Sequence, residues 1–121
     1  MKLRHIIPFL FAALLLTGCG EEHKAKKTVK AFLQENLKTA ALSEISFSKL
    51  DSTYYISDSL ILQLRQQTDE AGCFKKSLRY ADKDATGKLN FIEVRYKNEG
   101  KPQTHTFYLT PENEQVVAIK R

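Results

Sequence analysis

The thirty residues from Phe91 to Lys120, FIEVRYKNEGKPQTHTFYLTPENEQVVAIK, decide the fold. Ile92, Val94 and Tyr96 alternate with Glu93, Arg95 and Lys97, the period-two pattern of a strand that buries one face. Asn98-Glu99-Gly100-Lys101-Pro102 then supplies turn chemistry. Thr104 to Leu109 continues with aromatic and β-branched residues, Pro111-Glu112-Asn113-Glu114 turns again, and Val116 to Ile119 closes the chain. Three adjacent strands joined by short turns make an antiparallel meander, because parallel neighbours need much longer crossovers.

Upstream the period changes. Val29, Phe32, Leu33, Leu37, Ala40 and Ala41 recur at spacings of three and four, with Lys26, Lys30, Glu35 and Lys38 off the stripe, which predicts a helix. Ile45, Phe47 and Tyr55 lie in a Ser/Thr- and aromatic-rich stretch that predicts a first strand, with an irregularity near Leu50 and Asp51. Ser57 or Asp58 can cap a second helix carrying Leu60, Ile61 and Leu64. Beyond it two readings compete. A helix running through Gly72 would stack Leu64, Ala71, Phe74, Leu78 and Ala81; a stop at Gly72 leaves Phe74, Lys76, Leu78 and Tyr80 alternating as a strand. An interior glycine costs a helix only about 1 kcal/mol against alanine. The stop is the preferred reading.

A helix followed by a meander with one face to cover predicts an α+β fold: an N-terminal helix packed on an antiparallel β-meander, with a second helix inserted after the first strand. In order and spacing, and above all in the tail THTFYLTPENEQVVAIK, the chain is similar to cystatin-like helix-on-sheet domains of small envelope lipoproteins of Gram-negative bacteria. That resemblance implies a fold and an address, not an activity.

The address is written at the other end. Lys2 and Arg4 precede an apolar run from Ile6 to Leu16, broken only by Pro8, and Thr17, Gly18 and Gly20 are small. This is the layout of an export signal. Eleven residues of helix reach roughly 16 Å, about half of a hydrocarbon core of roughly 30 Å, so the run is too short to span. Leu16-Thr17-Gly18-Cys19 resembles a bacterial lipoprotein lipobox. The resemblance implies cleavage between Gly18 and Cys19, diacylglyceryl transfer to the Cys19 sulfur, and a membrane-anchored protein of the cell envelope, by expectation the outer membrane. Two or three acyl chains hold firmly where one binds reversibly.

The expected organisation is therefore a cleaved signal over residues 1–18, a lipidated polar tether over 19–27 and a single domain over 28–121. Losing the signal leaves 103 residues, enough for one core, and lowers the formal charge from +5 to +3. An exported chain of that charge implies anionic lipid or glycan neighbours rather than nucleic acid. With Cys19 lipidated, Cys73 is the one remaining thiol, so no internal disulfide can form.

One stretch looks like a metal site. Asp82-Lys83-Asp84-Ala85-Thr86-Gly87-Lys88-Leu89-Asn90-Phe91-Ile92-Glu93 resembles a twelve-residue EF-hand loop. Asp82, Asp84 and Thr86 would be side-chain ligands, Gly87 the sharp turn, Lys88 a carbonyl ligand and Glu93 the bidentate clamp for Ca2+. Against it, Glu93 falls inside the cleanest strand pattern, no second loop exists to pair with, and Lys83 and Lys88 dilute the negative charge. The preferred reading is a turn leading into a strand, with calcium as the alternative and otherwise no cofactor. Cys73 with His23 or His105 forms no sequence motif, and no phosphate-binding glycine loop or Gly-x-Ser-x-Gly elbow occurs. The expectation is a binding or assembly module without enzymatic activity, whose partners are the membrane and other envelope proteins.

Overall fold

The computed structural model describes residues 20–76 and 78–121. Residues 1–18, read from the sequence as an export signal, and Cys19 lie outside the described residues. Helix α1 is helical from residue 20 to residue 36. Ala25, Val29, Phe32, Leu33 and Leu37 form its buried stripe at steps of three and four. The stripe thus begins a turn earlier than expected. Residues 20–27, read from the sequence as a tether, are instead helical and continuous with the rest of α1, because Ala25 and Val29 extend the apolar face and Ala25 is fully buried. The other end is shorter than expected. The Leu37 amide still reaches the Leu33 carbonyl at 3.1 Å, but the Lys38 amide turns to the Cys73 carbonyl at 3.1 Å and the Lys75 amide returns to Asn36 O at 2.7 Å. A competing backbone partner ends the helix there, and Ala40 and Ala41 are exposed beyond it.

Five antiparallel strands follow: β1 Leu42–Phe47, β2 Asp51–Thr53, β3 Leu89–Asn98, β4 Lys101–Leu109 and β5 Val116–Lys120. Their order is β1-β3-β4-β5, with β2 also pairing β3. The predicted first strand is therefore two pieces along one side of β3, and the break at 48–50 coincides with the expected irregularity. Across it, the Glu93 amide donates to Ser48 Oγ at 2.9 Å, so a side chain stands in for a ladder bond. Glu44, with φ 51°, kinks β1 where its register shifts between Ser43 and Ser46, which blunts an edge that could otherwise recruit another strand.

The β3–β4 hairpin closes through Glu99 and Gly100, both at positive φ (53° and 76°), between the Asn98–Lys101 pair. That geometry suits Asn-Gly; glutamate lacks the short side chain that tolerates it. Glu99→Asn is expected to stabilise the protein by about 1 kcal/mol, a rise in Tm of about 4–8 °C for a domain of this size. A thermal melt that fails to rise would show that the turn is not strained. Pro102 is tolerated in β4 because β5 pairs only from Thr106 onward, so no neighbouring strand needs the missing N–H.

Helix α2, Asp58–Ala71, lies between β2 and β3 in sequence. Ser57 caps its start by accepting from the Leu60 amide at 3.1 Å, and Gly72 ends it in the left-handed conformation, φ 74°. The two helices take opposite faces of the sheet. Ile92, Val94, Tyr96, Phe107, Leu109, Val116 and Ile119 pack with α1, and the Phe32 and Phe107 rings meet edge-on at 5.6 Å. Ile61 and Leu64 of α2 pack with Leu89, Tyr108, Val117 and Ala118. A register shift between Tyr108 and Leu109 places the neighbours Val117 and Ala118 in the same cluster, so one strand gives two consecutive residues to α2. The architecture is α+β, helix on sheet, as expected.

The segment after Gly72 corrects one expectation. The helix does stop at Gly72, but the predicted strand over Phe74–Tyr80 does not form; only Phe74 makes a bridge, to Leu37. Its natural neighbour would be the outer edge of β5, and that edge is already occupied. Arg65 Nε donates to Val117 O at 3.0 Å and the Thr68 hydroxyl shares its proton between Leu64 O at 2.9 Å and Ile119 O at 3.2 Å, leaving Val116 O for the Ala81 amide at 2.8 Å. Side chains of α2 thus satisfy the carbonyls that a sixth strand would need.

Candidate functional site

The segment 78–81 crosses from the C-terminal end of α1, where Phe74 meets Leu37, to the start of β5, where Ala81 meets Val116. Between it, α1 and the β4–β5 turn lies an open groove of about 760 Å³. Its apolar surface comes from Ala31, Phe32, Ala81 and Val116, with the Tyr80 ring beside them. Its size is within the range of ligand clefts, and most of its lining residues are polar or charged.

Charge sits on the rim. Lys24 Nζ pairs with Glu114 Oε1 at 2.7 Å, and this hydrogen bond raises the lysine pKa. Lys27 and Arg79 also line the groove and have no ion-pair partner among the described residues. Glu35 is the opposing acid. Beneath it, the Arg65 guanidinium stacks on the Tyr80 ring at 4.9 Å, and burial raises the Tyr80 pKa.

The wall formed by the β4–β5 turn is held by a residue that the sequence marked only as part of a turn. Asn113 is fully buried and adopts φ 60°. Its Oδ1 accepts from Asn90 Nδ2 at 2.9 Å, its Nδ2 donates to Glu21 Oε2 at 2.9 Å, and its carbonyl accepts from Thr28 Oγ1 at 2.6 Å. One side chain thus joins α1, β3 and the turn. Asparagine before a charged residue in a Pro-containing turn was the signal for the left-handed conformation, but nothing local in the sequence points to Glu21 or Asn90.

The residues of the calcium alternative are not gathered. Asp84 makes a local turn: its Oδ1 accepts from the Thr86 amide at 3.1 Å, its carbonyl accepts from the Gly87 amide at 3.1 Å, and Gly87 takes φ 75°. Lys83 leaves the loop to bind Asp58 Oδ1 at 3.0 Å and Ile56 O at 3.0 Å. Glu93 lies in β3 and pairs with Arg95 Nε at 3.0 Å, while α2 ends at Ala71, well before Asp82, and β3 rather than a helix follows Lys88. Among the described residues no three His, Cys, Asp or Glu side chains are grouped to hold a metal ion.

His105 and Cys73 both approach Tyr96 in the core. His105 is 2 % exposed, and its Nε2 shares a hydrogen bond of 2.8 Å with the Tyr96 hydroxyl, while Nδ1 has no partner among the described residues. Phe74 and Phe107 rings pack around it at 5.9 and 6.3 Å. Burial lowers its pKa from 6.5 to about 4, and Arg121 adds to the shift. Burial, and secondarily the neighbouring Cys73, raise the Tyr96 hydroxyl well above its ordinary value. None of these three residues lines the groove. Comparison with protein-family models, with curated proteins and with solved structures returns no match.

Proposed function

We propose that the protein is a lipid-anchored component of the bacterial cell envelope, held at the outer membrane through Cys19, and that its domain acts by binding or assembly rather than by catalysis. The observation that carries the reading is the junction between the lipobox and the fold. Leu16-Thr17-Gly18-Cys19 closes a short export signal, and the very next residue, Gly20, is already helical. With Ala25 buried and Glu21 tied to Asn113, α1 is part of the domain from residue 21 onward. A lipid on Cys19 therefore brings the domain to the bilayer surface without a flexible spacer, and the groove along α1 comes with it.

Replacing Cys19 by Ser tests the anchor. The expected product is an uncleaved precursor that takes up no labelled acyl chain. Normal processing and acyl labelling of that variant would refute the proposal. Measuring both matters, because an uncleaved apolar signal can itself associate with a membrane.

A further inference from the structure

We propose that the groove between α1 and residues 78–81 is a docking slot for an extended acidic peptide, which adds as a strand beside the segment that has none. This deepens the reading of the domain as a binding module and rests on it, but it does not depend on the lipid anchor.

The first argument is the unused strand. Leu78 and Tyr80 follow Phe74 and Lys76 in strict alternation, yet the backbone groups of Leu78, Arg79 and Tyr80 enter no backbone hydrogen bond among the described residues. Peptide groups left in this way favour a ladder partner. Neither neighbour in the fold can provide one. The β5 edge is satisfied by Arg65, Thr68 and the single Ala81 bond, and α1 satisfies its own backbone. A peptide entering the groove reaches this segment from the open side and gains main-chain bonds of the kind that drive strand addition.

The second argument is charge. Lys27 and Arg79 on the rim are two cations without ion-pair partners among the described residues, against Glu35 as the one unpaired acid of the lining. Lys24 and Glu114, which also line it, are paired with each other. A strand presents alternate side chains to opposite sides, so a peptide that alternates acidic and apolar residues would set carboxylates on Lys27 and Arg79 and apolar groups on Phe32 and Val116. Residues 78–81 span roughly 10 Å when extended, so a hexapeptide covers the segment with a residue to spare at either end.

The test uses the full chain in non-ionic detergent and a fluorescein-labelled hexapeptide of alternating glutamate and valine, followed by anisotropy. Saturable one-to-one binding is expected. Arg79→Glu and Lys27→Glu, both at exposed positions, should each weaken it by about tenfold, equivalent to 1.4 kcal/mol, whereas Lys101→Glu at the far hairpin should leave it unchanged. A peptide with proline in place of every valine keeps the charge but loses half of the main-chain donors, and it should not bind. No saturable binding of the first peptide overturns the proposal. Equal binding of the proline peptide also overturns it, because the contact would then be charge alone. The assay is repeated on Cys19→Ser, so failure of the anchor and failure of the slot are read separately.

Discussion

Asn113→Ala is expected to lower the unfolding free energy by about 3 kcal/mol, measured by urea denaturation. About 1–2 kcal/mol of this is the cost of holding a residue with a β-carbon and no short polar group at φ 60°. The rest is the loss of the side-chain bonds to Asn90 and Glu21, at about 1 kcal/mol each for buried or charge-assisted bonds. Asn113→Gly separates the two parts, because glycine keeps the left-handed backbone and the Thr28 bond to its carbonyl but removes the side chain. The glycine variant should retain about 1 kcal/mol more stability than the alanine variant. Equal losses would show that the backbone conformation contributes nothing. A loss below about 1 kcal/mol for alanine would mean that the network does not hold the turn against α1.

Acidification should produce the second large effect. His105 is neutral in the folded protein down to about pH 4, whereas in the unfolded chain it takes up a proton near its ordinary value of 6.5. Between those limits the unfolded state binds the extra proton, so stability rises with pH through this window. The contribution is complete above pH 6.5 and is lost as the pH falls toward 4, up to about 3 kcal/mol in all. The ion pairs Lys24–Glu114, Lys26–Glu22 and Lys97–Glu44 have both partners substantially exposed and contribute little to stability. Denaturant unfolding at intervals from pH 7 to pH 4 should therefore show a steep decline in the parent protein. In His105→Gln, which keeps a polar group near Tyr96, the decline should be much flatter. Parallel curves for the two proteins would rule out His105 as the source.

The elements with a long, regular pattern were legible in the sequence. The alternation in Ile92–Tyr96, the turn at Asn98–Pro102 and the closing Val116–Ile119 gave the meander with the strand order that the structure has. Ser57 and Gly72, as cap and stop, bounded α2 because both act through local backbone geometry. Where contacts came from far along the chain, the reading slipped. Ala40 and Ala41 continued the stripe of α1 on paper, but the Cys73 carbonyl drew the Lys38 amide away. Phe74–Tyr80 had the period of a strand, but Arg65 and Thr68 of α2 had already taken the β5 edge.

The candidate site was less legible than the fold. Its residues come from three separated stretches, 24–36, 79–81 and 114–116, and no motif links them. The stretch that did look like a site, Asp82–Glu93, divides into a turn and a strand because Glu93 follows the β3 alternation and turns to Arg95. His105 had an unremarkable place in the THTFYL strand until Tyr96, Phe74 and Phe107 closed around it.

The sequence by itself determined the meander, the presence of two helices and the caps of α2, since each depends on residue types within a few positions of one another. Tertiary structure alone decided that the helices lie on opposite faces, that residues 20–27 belong to the domain and that Asn113 ties the β4–β5 turn to α1 and β3. It also decided that one stretch with the pattern of a strand lacks a partner beside an open groove. The physical reason is the same in each case: backbone and buried polar groups must be satisfied, and which distant atom satisfies them is settled only when the chain has folded.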